Sequence, residues 1–305
     1  MTPLLVIVGP TGAGKTELAL RLAESVGGEI VSADSQQVYR GMDIGTGKAS
    51  VAEQERVPHH VLDVLSPNEE MTAARFVELA DAAIADVRGR GKPVVVAGGT
   101  MLYVRALLRG LFEGPAADPE FRASLGERAE REGLETLWNE MASVDEKSSE
   151  TIHKTDLRRI VRALEVHHKT GTPLSEHHRL HQAQPDRYVA KVVGVKPERE
   201  ELYEKINARV LAMMGAGLLA EVEGLRNQGF GPELRSQQAI GYSELHDHLQ
   251  GTSSKDEAVA LIQRNSRRYA RRQLSWYRGQ DDVLWYPGPS EVDLGELGGY
   301  LASAL

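Results

Sequence analysis

Apolar positions along the chain fall into two periods. Leu4–Val8 is an unbroken apolar run rich in β-branched residues, which predicts a short strand buried on both faces. Gly9–Gly14 turn the chain. From Lys15 to about Val26 the apolar positions Leu18, Leu22 and Val26 recur at helical spacing. "GEIVSADS" reads as a second strand ending at Asp34, and Phe76–Arg88 as an amphipathic helix. "KPVVVAGGT" reads as a buried strand over Val94–Ala97 that ends in a glycine-rich turn. Strands alternating with helices predict a parallel α/β sheet with its working end at the strand carboxyl termini.

The period changes after about Glu113. "EGPAADPE" is a linker signal. Glu127–Met141 reads as one helix with Leu134, Leu137, Trp138 and Met141 on one face, and Asp156–His168 as another with Leu157, Ile160, Val161 and Leu164. The next strand pattern is Tyr188–Val195. The expected organisation is therefore an α/β core over 1–112 and 188–305, interrupted by a mostly helical insertion over 113–187. A long helix through Leu202, Ile206, Val210 and Met213 should kink or stop at Gly215 and Gly217. A last helix runs from about Lys255 to Trp276.

Composition narrows the class. With 305 residues, 41% hydrophobic and 26% charged, the chain has an ordinary globular makeup and room for one large domain or two modest ones. No apolar run approaches the roughly 20 residues of a membrane helix, and the start lacks a leader pattern. A cytoplasmic protein without a membrane partner is expected, with a monomer as the default. There is no Cys, which excludes disulfides, thiolate zinc sites and a cysteine nucleophile. The net charge of −8 argues against a general nucleic-acid coat, but local patches matter more. Thr151–Lys191 holds eight Lys/Arg against four acids, and six of the ten His. Arg264–Arg278 holds six Arg and no acid, interleaved with Tyr269, Trp276 and Tyr277. Both segments could meet phosphates.

The chemistry begins at Gly9-Pro10-Thr11-Gly12-Ala13-Gly14-Lys15-Thr16, which matches G-x-x-x-x-G-K-[ST] between a strand and a helix. Glycines let backbone N–H groups turn toward phosphate oxygens, the helix N-terminus adds its positive end, Lys15 adds a charge and Thr16 can hold Mg²⁺. The motif is specific for a diphosphate and silent on what that diphosphate carries. Asp34, at the end of the second strand, faces this loop as a possible general base, or caps the following turn. Ser35, Gln36 and Gln37 follow, and amides suit base-edge hydrogen bonding. An enzyme that hydrolyses ATP should carry an acid after an apolar strand, yet "VVVAGGT" ends in Gly98-Gly99-Thr100. His59 and His60 are adjacent and should point apart, against a shared metal. Arg158, Arg159 and Arg162 form a stripe opposite the apolar face of their helix, and Arg267, Arg268, Arg271 and Arg272 a second one. On composition alone each stripe could be only a solvated face.

With the loop, "DSQQVYRGMDIGTGK", "VPHH", "GGTMLYVRAL", "IHKTDLRRIVRALEVHHKTGTPLSE", "SQQAIGYSEL" and "RRYARRQLSWYRG" followed by "VLWY" in order, the chain resembles the bacterial tRNA dimethylallyltransferases over about residues 1–286. The loop is shared by many families, whereas "DSQQVYRGMDIGT" and "RRIVRALEV" are specific. The resemblance implies a P-loop NTPase-like α/β core. It implies transfer of a dimethylallyl group from dimethylallyl diphosphate to the N6 amine of the adenosine 3′ of the anticodon. Lys15, and Mg²⁺ near Thr16, would neutralise the leaving diphosphate. Asp34 would be the catalytic base, and Thr100 would stand beside the reacting groups. The flipped adenine would be read by Asp34, Ser35, Gln36 and Gln37. Arg122, the stretch Arg158, Arg159, Ile160, Val161 and Arg162, and the stretch 235–240 with Arg235, Gln237 and Gln238 would contact tRNA, the insertion clamping the anticodon stem. Gly12 and Ala13 stand where many members have Ala and Ser, both small changes. A cysteine-bearing zinc-finger extension, found in eukaryotic relatives, is not expected. The competing readings are a small-molecule or nucleoside kinase using ATP, which leaves the arginine-rich helices unexplained, and a non-enzymatic RNA-binding switch, which leaves Asp34 without a use.

Overall fold

The computed structural model describes residues 3–112, 114–277, 280 and 282–302. The chain forms two compact units, one of residues 1–108 with 187–305, the other of residues 109–186. In the first unit the order is β1 (Leu4–Val8), α1 (Lys15–Val26), β2 (Glu29–Ser32), α2 (Val51–Arg56), β3 (His59–His60), α3 (Ala73–Gly89), β4 (Val94–Ala97) and α4 (Met101–Arg109). The second unit holds α5 (Pro119–Glu132), α6 (Leu134–Val144), α7 (Glu146–Thr151), α8 (Leu157–Thr170) and α9 (Leu174–Gln182). The chain returns with β5 (Ala190–Val195), α10 (Arg199–Gly215), α11 (Leu218–Asn227), α12 (Tyr242–Leu249), α13 (Lys255–Tyr277), β6 (Val283–Tyr286) and α14 (Leu294–Ala302). The fold is α/β, a P-loop NTPase-like parallel sheet core with a mostly helical insertion. Of the expected insertion over 113–187, position 113 lies outside the described residues.

The sheet is six-stranded and parallel throughout, in the order β3-β2-β4-β1-β5-β6. Alternation sends successive strand residues to opposite faces. Leu4, Val6 and Val8 of β1 join Val31, Val94 and Val96 in one core layer, while Leu5 and Ile7 join Ile30, Val95 and Val193 in the other. Helices cover both faces, which is why these strands read as continuous apolar runs. The register Val6↔Val96 and Val31↔Val96 brings the ends of β1, β2 and β4 level, so Gly9, Asp34 and Gly98 follow strand ends that lie side by side.

His59 and His60 serve the sheet. The His59 ring pairs with the Val57 carbonyl at 2.7 Å and His60 with Glu29 at 2.7 Å. Glu29 is buried at the start of β2 and also accepts from Arg90 and from Lys92. The Arg90 guanidinium holds its carboxyl well below the usual range, against the opposing effect of burial.

The single helix expected over Glu127–Met141 is two. Gly133 sits at φ 87°, ψ 145° and breaks the run between α5 and α6, a conformation open to Gly and costly to other residues. Asp118 caps α5, accepting the Phe121 N–H at 3.1 Å. Leu125, Leu137, Met141, Ile160, Val161 and Leu164 form the core of this unit. The interruption expected at Gly215 and Gly217 lies between α10 and α11, where Gly217 takes φ 102°.

Candidate active site

A cleft of about 340 Å³ opens at the strand carboxyl ends of the first unit. The phosphate loop forms its floor. Gly9 takes φ 145°, and a Cβ there would come within 2.5 Å of the Val195 carbonyl oxygen. Gly14 at φ 89° caps α1 without a side-chain hydrogen bond, leaving the first-turn N–H groups for a ligand. Gly12 also has positive φ; of the loop from Gly9 to Thr16, the residues Thr11, Lys15 and Thr16 line the cleft, and Gly9, Pro10, Gly12, Ala13 and Gly14 shape the turn around them. Lys15 Nζ donates to the Pro10 carbonyl at 2.8 Å. Burial lowers the Lys15 ammonium to about 8; Asp34 opposes this and Arg209 adds to it. Arg209, from α10, is lowered by burial and supported by Asp34. Two desolvated cations thus share the cleft with one carboxylate.

Asp34 caps the turn after β2 and also lines the cleft. Its Oδ1 accepts the N–H groups of Gln36 at 2.8 Å and Gln37 at 3.3 Å, capping the turn. The same carboxylate lines the cleft beside Ser35, Gln36 and Gln37. Gln36 Oε1 is buried without a hydrogen-bond partner. Gln37 is tied inward, accepting from Ser32 Oγ at 3.1 Å and donating to the Gly47 carbonyl at 3.3 Å. The loop after it is pinned by Glu221, whose carboxylate accepts the N–H groups of Asp43, Ile44 and Gly45 and the Tyr242 hydroxyl at 2.6 Å.

The turn after β4 explains the missing acid. A Cβ at Gly98 would stand 2.1 Å from the Ala33 carbonyl oxygen, and one at Gly99 2.5 Å from Gln273 Nε2. The Ala33 backbone thus excludes a side chain, and with it a carboxylate, at Gly98, while a side chain at Gly99 would have to displace the Gln273 amide. Thr100 follows, and its Oγ1 accepts the Ser35 N–H at 2.9 Å.

Several lining residues escaped sequence reasoning. Arg209 lines the cleft with Ile206, Val210 and Met213 of α10, a position that the apolar spacing of that helix does not mark. On α13, Ile262, Ser266, Tyr269, Arg272 and Gln273 line the cleft at helical spacing, a stripe that the grouping of arginines by charge hid. Burial pushes the Tyr269 phenol up to about 12, with Asp34 reinforcing the shift. Ile206, Val210, Met213, Leu218, Ile240, Tyr242 and Ile262 give the cleft an apolar lining beside its charged groups. A second cavity of about 630 Å³ adjoins it, lined by Arg268, Arg271, Ser243, Glu244, Asn265 and Ser275; Arg272, Gln238 and Ile240 line both. Arg267 is instead bound to Asn207 of α10, and Arg278 lies outside the described residues.

The remaining expected RNA contacts divide. Arg235 is exposed and paired with Glu70. Gln237 is buried, with its Oε1 3.1 Å from His246 Nε2, so its amide is spent inside the fold, while Gln238 reaches the cleft. In the helical unit Arg158 and Arg159 are exposed, whereas the side chains of Ile160 and Val161 are core. Arg122 and Arg162 converge on Glu165, a fully buried carboxylate, at 2.6 to 2.8 Å. Burial alone would raise Glu165, but the Arg122 fork, the Asp118 N–H and Arg162 hold it down at about 2. Among the described residues no helix is long and apolar enough to cross a membrane.

Comparison with known proteins adds an independent line. The family model described as IPP transferase matches residues 37–280. The chain is 47% identical over 288 residues to tRNA dimethylallyltransferase 1 of Pelobacter propionicus, covering 94% of this chain and 93% of that one. It is 46% identical over 301 residues to tRNA dimethylallyltransferase of Geobacter metallireducens, covering 98% and 97%. The crystal structure of the full-length tRNA isopentenylpyrophosphate transferase of Bacillus halodurans is similar with a TM-score of 0.73 at 37% identity, covering 100% of this chain and 97% of that one. A eukaryotic dimethylallyltransferase described as acting on tRNA is similar with a TM-score of 0.79 at 26% identity, covering 99% and 77%.

Proposed function

The chain belongs to the IPP transferase family, and from that premise we propose how its cleft works on tRNA. The enzyme moves a dimethylallyl group from dimethylallyl diphosphate to the exocyclic N6 amine of the adenosine 3′ of the anticodon and releases diphosphate. The observation that carries this reading is the cleft itself, in which the phosphate loop, the Asp34 carboxylate and an apolar wall share one cavity. A ligand with an anionic head and a short apolar tail matches that lining, and a carboxylate beside the junction matches an attacking amine.

In this reading the diphosphate lies on the loop N–H groups, with Lys15 and Arg209 offsetting its charge, and the five-carbon tail lies against the apolar wall. The adenine leaves its stack at a cost of order a few kcal/mol and enters beside Asp34–Gln37. The unpartnered Gln36 Oε1 is an acceptor for an amine hydrogen. Nitrogen attacks the first allylic carbon, that carbon's bond to oxygen breaks, and the electron pair leaves on the diphosphate. Asp34 takes the amine proton. An allylic carbon tolerates positive charge, so the residues' main work is aim and charge stabilisation.

The Thr16 hydroxyl, exposed at the loop and lining the cleft, is an oxygen donor for Mg²⁺, whose other ligands substrate phosphate and water would supply. Bound there, the ion would neutralise the leaving diphosphate.

The basic face of α13 and the exposed Arg158 and Arg159 are proposed as tRNA contacts, with action in the cytoplasm where tRNA is available. The test is one incubation of unmodified tRNA with Mg²⁺, half receiving labelled dimethylallyl diphosphate and half labelled ATP. Label from the prenyl donor on tRNA adenosine is the expected result. ATP consumption without prenyl transfer would replace this reading with the kinase.

A further inference from the structure

Gln273 is a buried amide, 1% exposed, in the wall of the cleft. Its two ends are both used. Oε1 accepts the Thr11 N–H at 2.8 Å, and Nε2 donates to the Gly99 carbonyl at 2.8 Å. One side chain from α13 therefore bridges the phosphate loop and the turn that carries Thr100. The bridge is closely fitted, since a Cβ on Gly99 would stand 2.5 Å from Gln273 Nε2.

The Thr11 N–H belongs to the same peptide unit as the Pro10 carbonyl. That carbonyl accepts the Lys15 ammonium at 2.8 Å. A single peptide plane is thus held at its N–H by Gln273 and reports at its oxygen to Lys15. A peptide unit is rigid, so rotating one end rotates the other. Loss of the Gln273 contact leaves the plane held only at its oxygen, by Lys15 at 2.8 Å and by the Ala13 N–H at 3.3 Å, and so loosens the resting direction of Lys15 and of the neighbouring loop N–H groups.

We propose that Gln273 is a positioning residue for the diphosphate. It pins the Pro10–Thr11 peptide, sets where the Lys15 ammonium waits, and keeps the loop in the form that receives the anion. The inference rests on the reading of the cleft as a dimethylallyl diphosphate site and adds a residue that acts through Thr11 and Lys15 without touching the reacting atoms.

The test uses the full chain and Gln273→Met, which keeps length and volume but neither hydrogen bond. Calorimetry with inorganic diphosphate and Mg²⁺ gives the dissociation constant, and steady-state assays with dimethylallyl diphosphate and unmodified tRNA give separate KM values. The expected result is a dissociation constant and a prenyl-donor KM raised about tenfold, with the tRNA KM changed by less than about twofold. Gly99→Ala should move the same two quantities in the same direction, because its Cβ displaces Nε2, and it decides the matter if Gln273→Met does not fold. Unaltered diphosphate binding in the variants, with the wild type binding well, overturns the inference and leaves the cleft reading intact. Equal losses for both substrates with a lowered Tm overturn it too, reducing Gln273 to a structural strut. A wild-type chain that binds no diphosphate overturns the inference and the cleft reading together.

Discussion

The Thr100 hydroxyl accepts the Ser35 N–H at 2.9 Å, tying the turn after β4 to the turn that carries Asp34. The Tyr269 phenol is also within its influence. Thr100 therefore helps to hold the Asp34 turn, whatever it does to substrate. Thr100→Ala should lower kcat by about tenfold, the scale of one lost buried hydrogen bond. Thr100→Ser should recover most of that loss, since the hydroxyl returns. Equal kinetics for the Ala and Ser variants would show that the methyl group, not the tie, matters.

Asp34 has one oxygen in the turn and a carboxylate in the cleft, so the choice of variant decides what is learned. Asp34→Asn keeps an acceptor for the Gln36 and Gln37 N–H groups and loses the base. Turnover at saturating substrates should fall by about 10²–10⁴, with tRNA affinity and Tm close to wild type. Asp34→Ala should lose turnover and also loosen the turn. An Asn variant within about tenfold of wild-type kcat would move the base elsewhere.

How far these roles were legible in the sequence differs residue by residue. Local signals carried over well: the apolar run Leu4–Val8 and the glycine loop each encode their structure within a few residues, while the second strand ends at Ser32, two residues before the expected Asp34, which lies in the turn after it. The break at Gly133 was readable too, but the apolar residues on either side masked it. Gln273 and Arg209 were not readable as site residues, because their roles come from contacts with residues far away in the chain, Thr11 and Gly99 for Gln273. Charge grouping misled at α13 and α8. It joined Arg267, which binds Asn207, to Arg272, which lines the cleft, and it ranked Arg162 with Arg158 although Arg162 turns to Glu165.

Burial lowers Lys15 to about 8, which gives diphosphate binding a pH dependence of definite sign. The anion prefers the protonated ammonium. Affinity for dimethylallyl diphosphate should hold below that value and weaken as pH rises through about 8. In Lys15→Arg the cation cannot lose its proton in this range, so that limb should disappear even if overall affinity falls. Titrations at several pH values on both proteins check it, and the same limb in Lys15→Arg would assign it to another group.

Glu165 collects Arg122, Arg162 and the Asp118 N–H in the core of the helical unit. Its partners are partly exposed, at 43% and 32%, so they can rehydrate when it is removed. Glu165→Gln should cost about 1–3 kcal/mol, below the full cost of breaking a buried pair. Glu165 is held low, at about 2, so its contribution is present above the unfolded carboxyl value of about 4.3 and is lost as pH falls toward its folded value. Denaturant melts should show the wild type converging on the Gln variant in acid. A constant gap across that range would place the stabilisation in packing.

Arg158 and Arg162 lie four residues apart on α8 yet should behave differently toward tRNA. Arg158 is exposed, while Arg162 spends its guanidinium on Glu165 and the Pro115 carbonyl. Arg158→Ala should therefore weaken tRNA binding, lower the slope of log affinity against log salt by about one, and leave Tm unchanged. Arg162→Ala should lower Tm first, because it leaves Glu165 with fewer partners, and should change the salt slope by less. If the two variants share one salt slope and one Tm, the Glu165 contact does not hold Arg162 away from RNA in solution. If Arg158→Ala leaves the slope of the wild type, the exposed stripe of α8 is a solvated face, and the basic face of α13 carries the electrostatic share of tRNA binding.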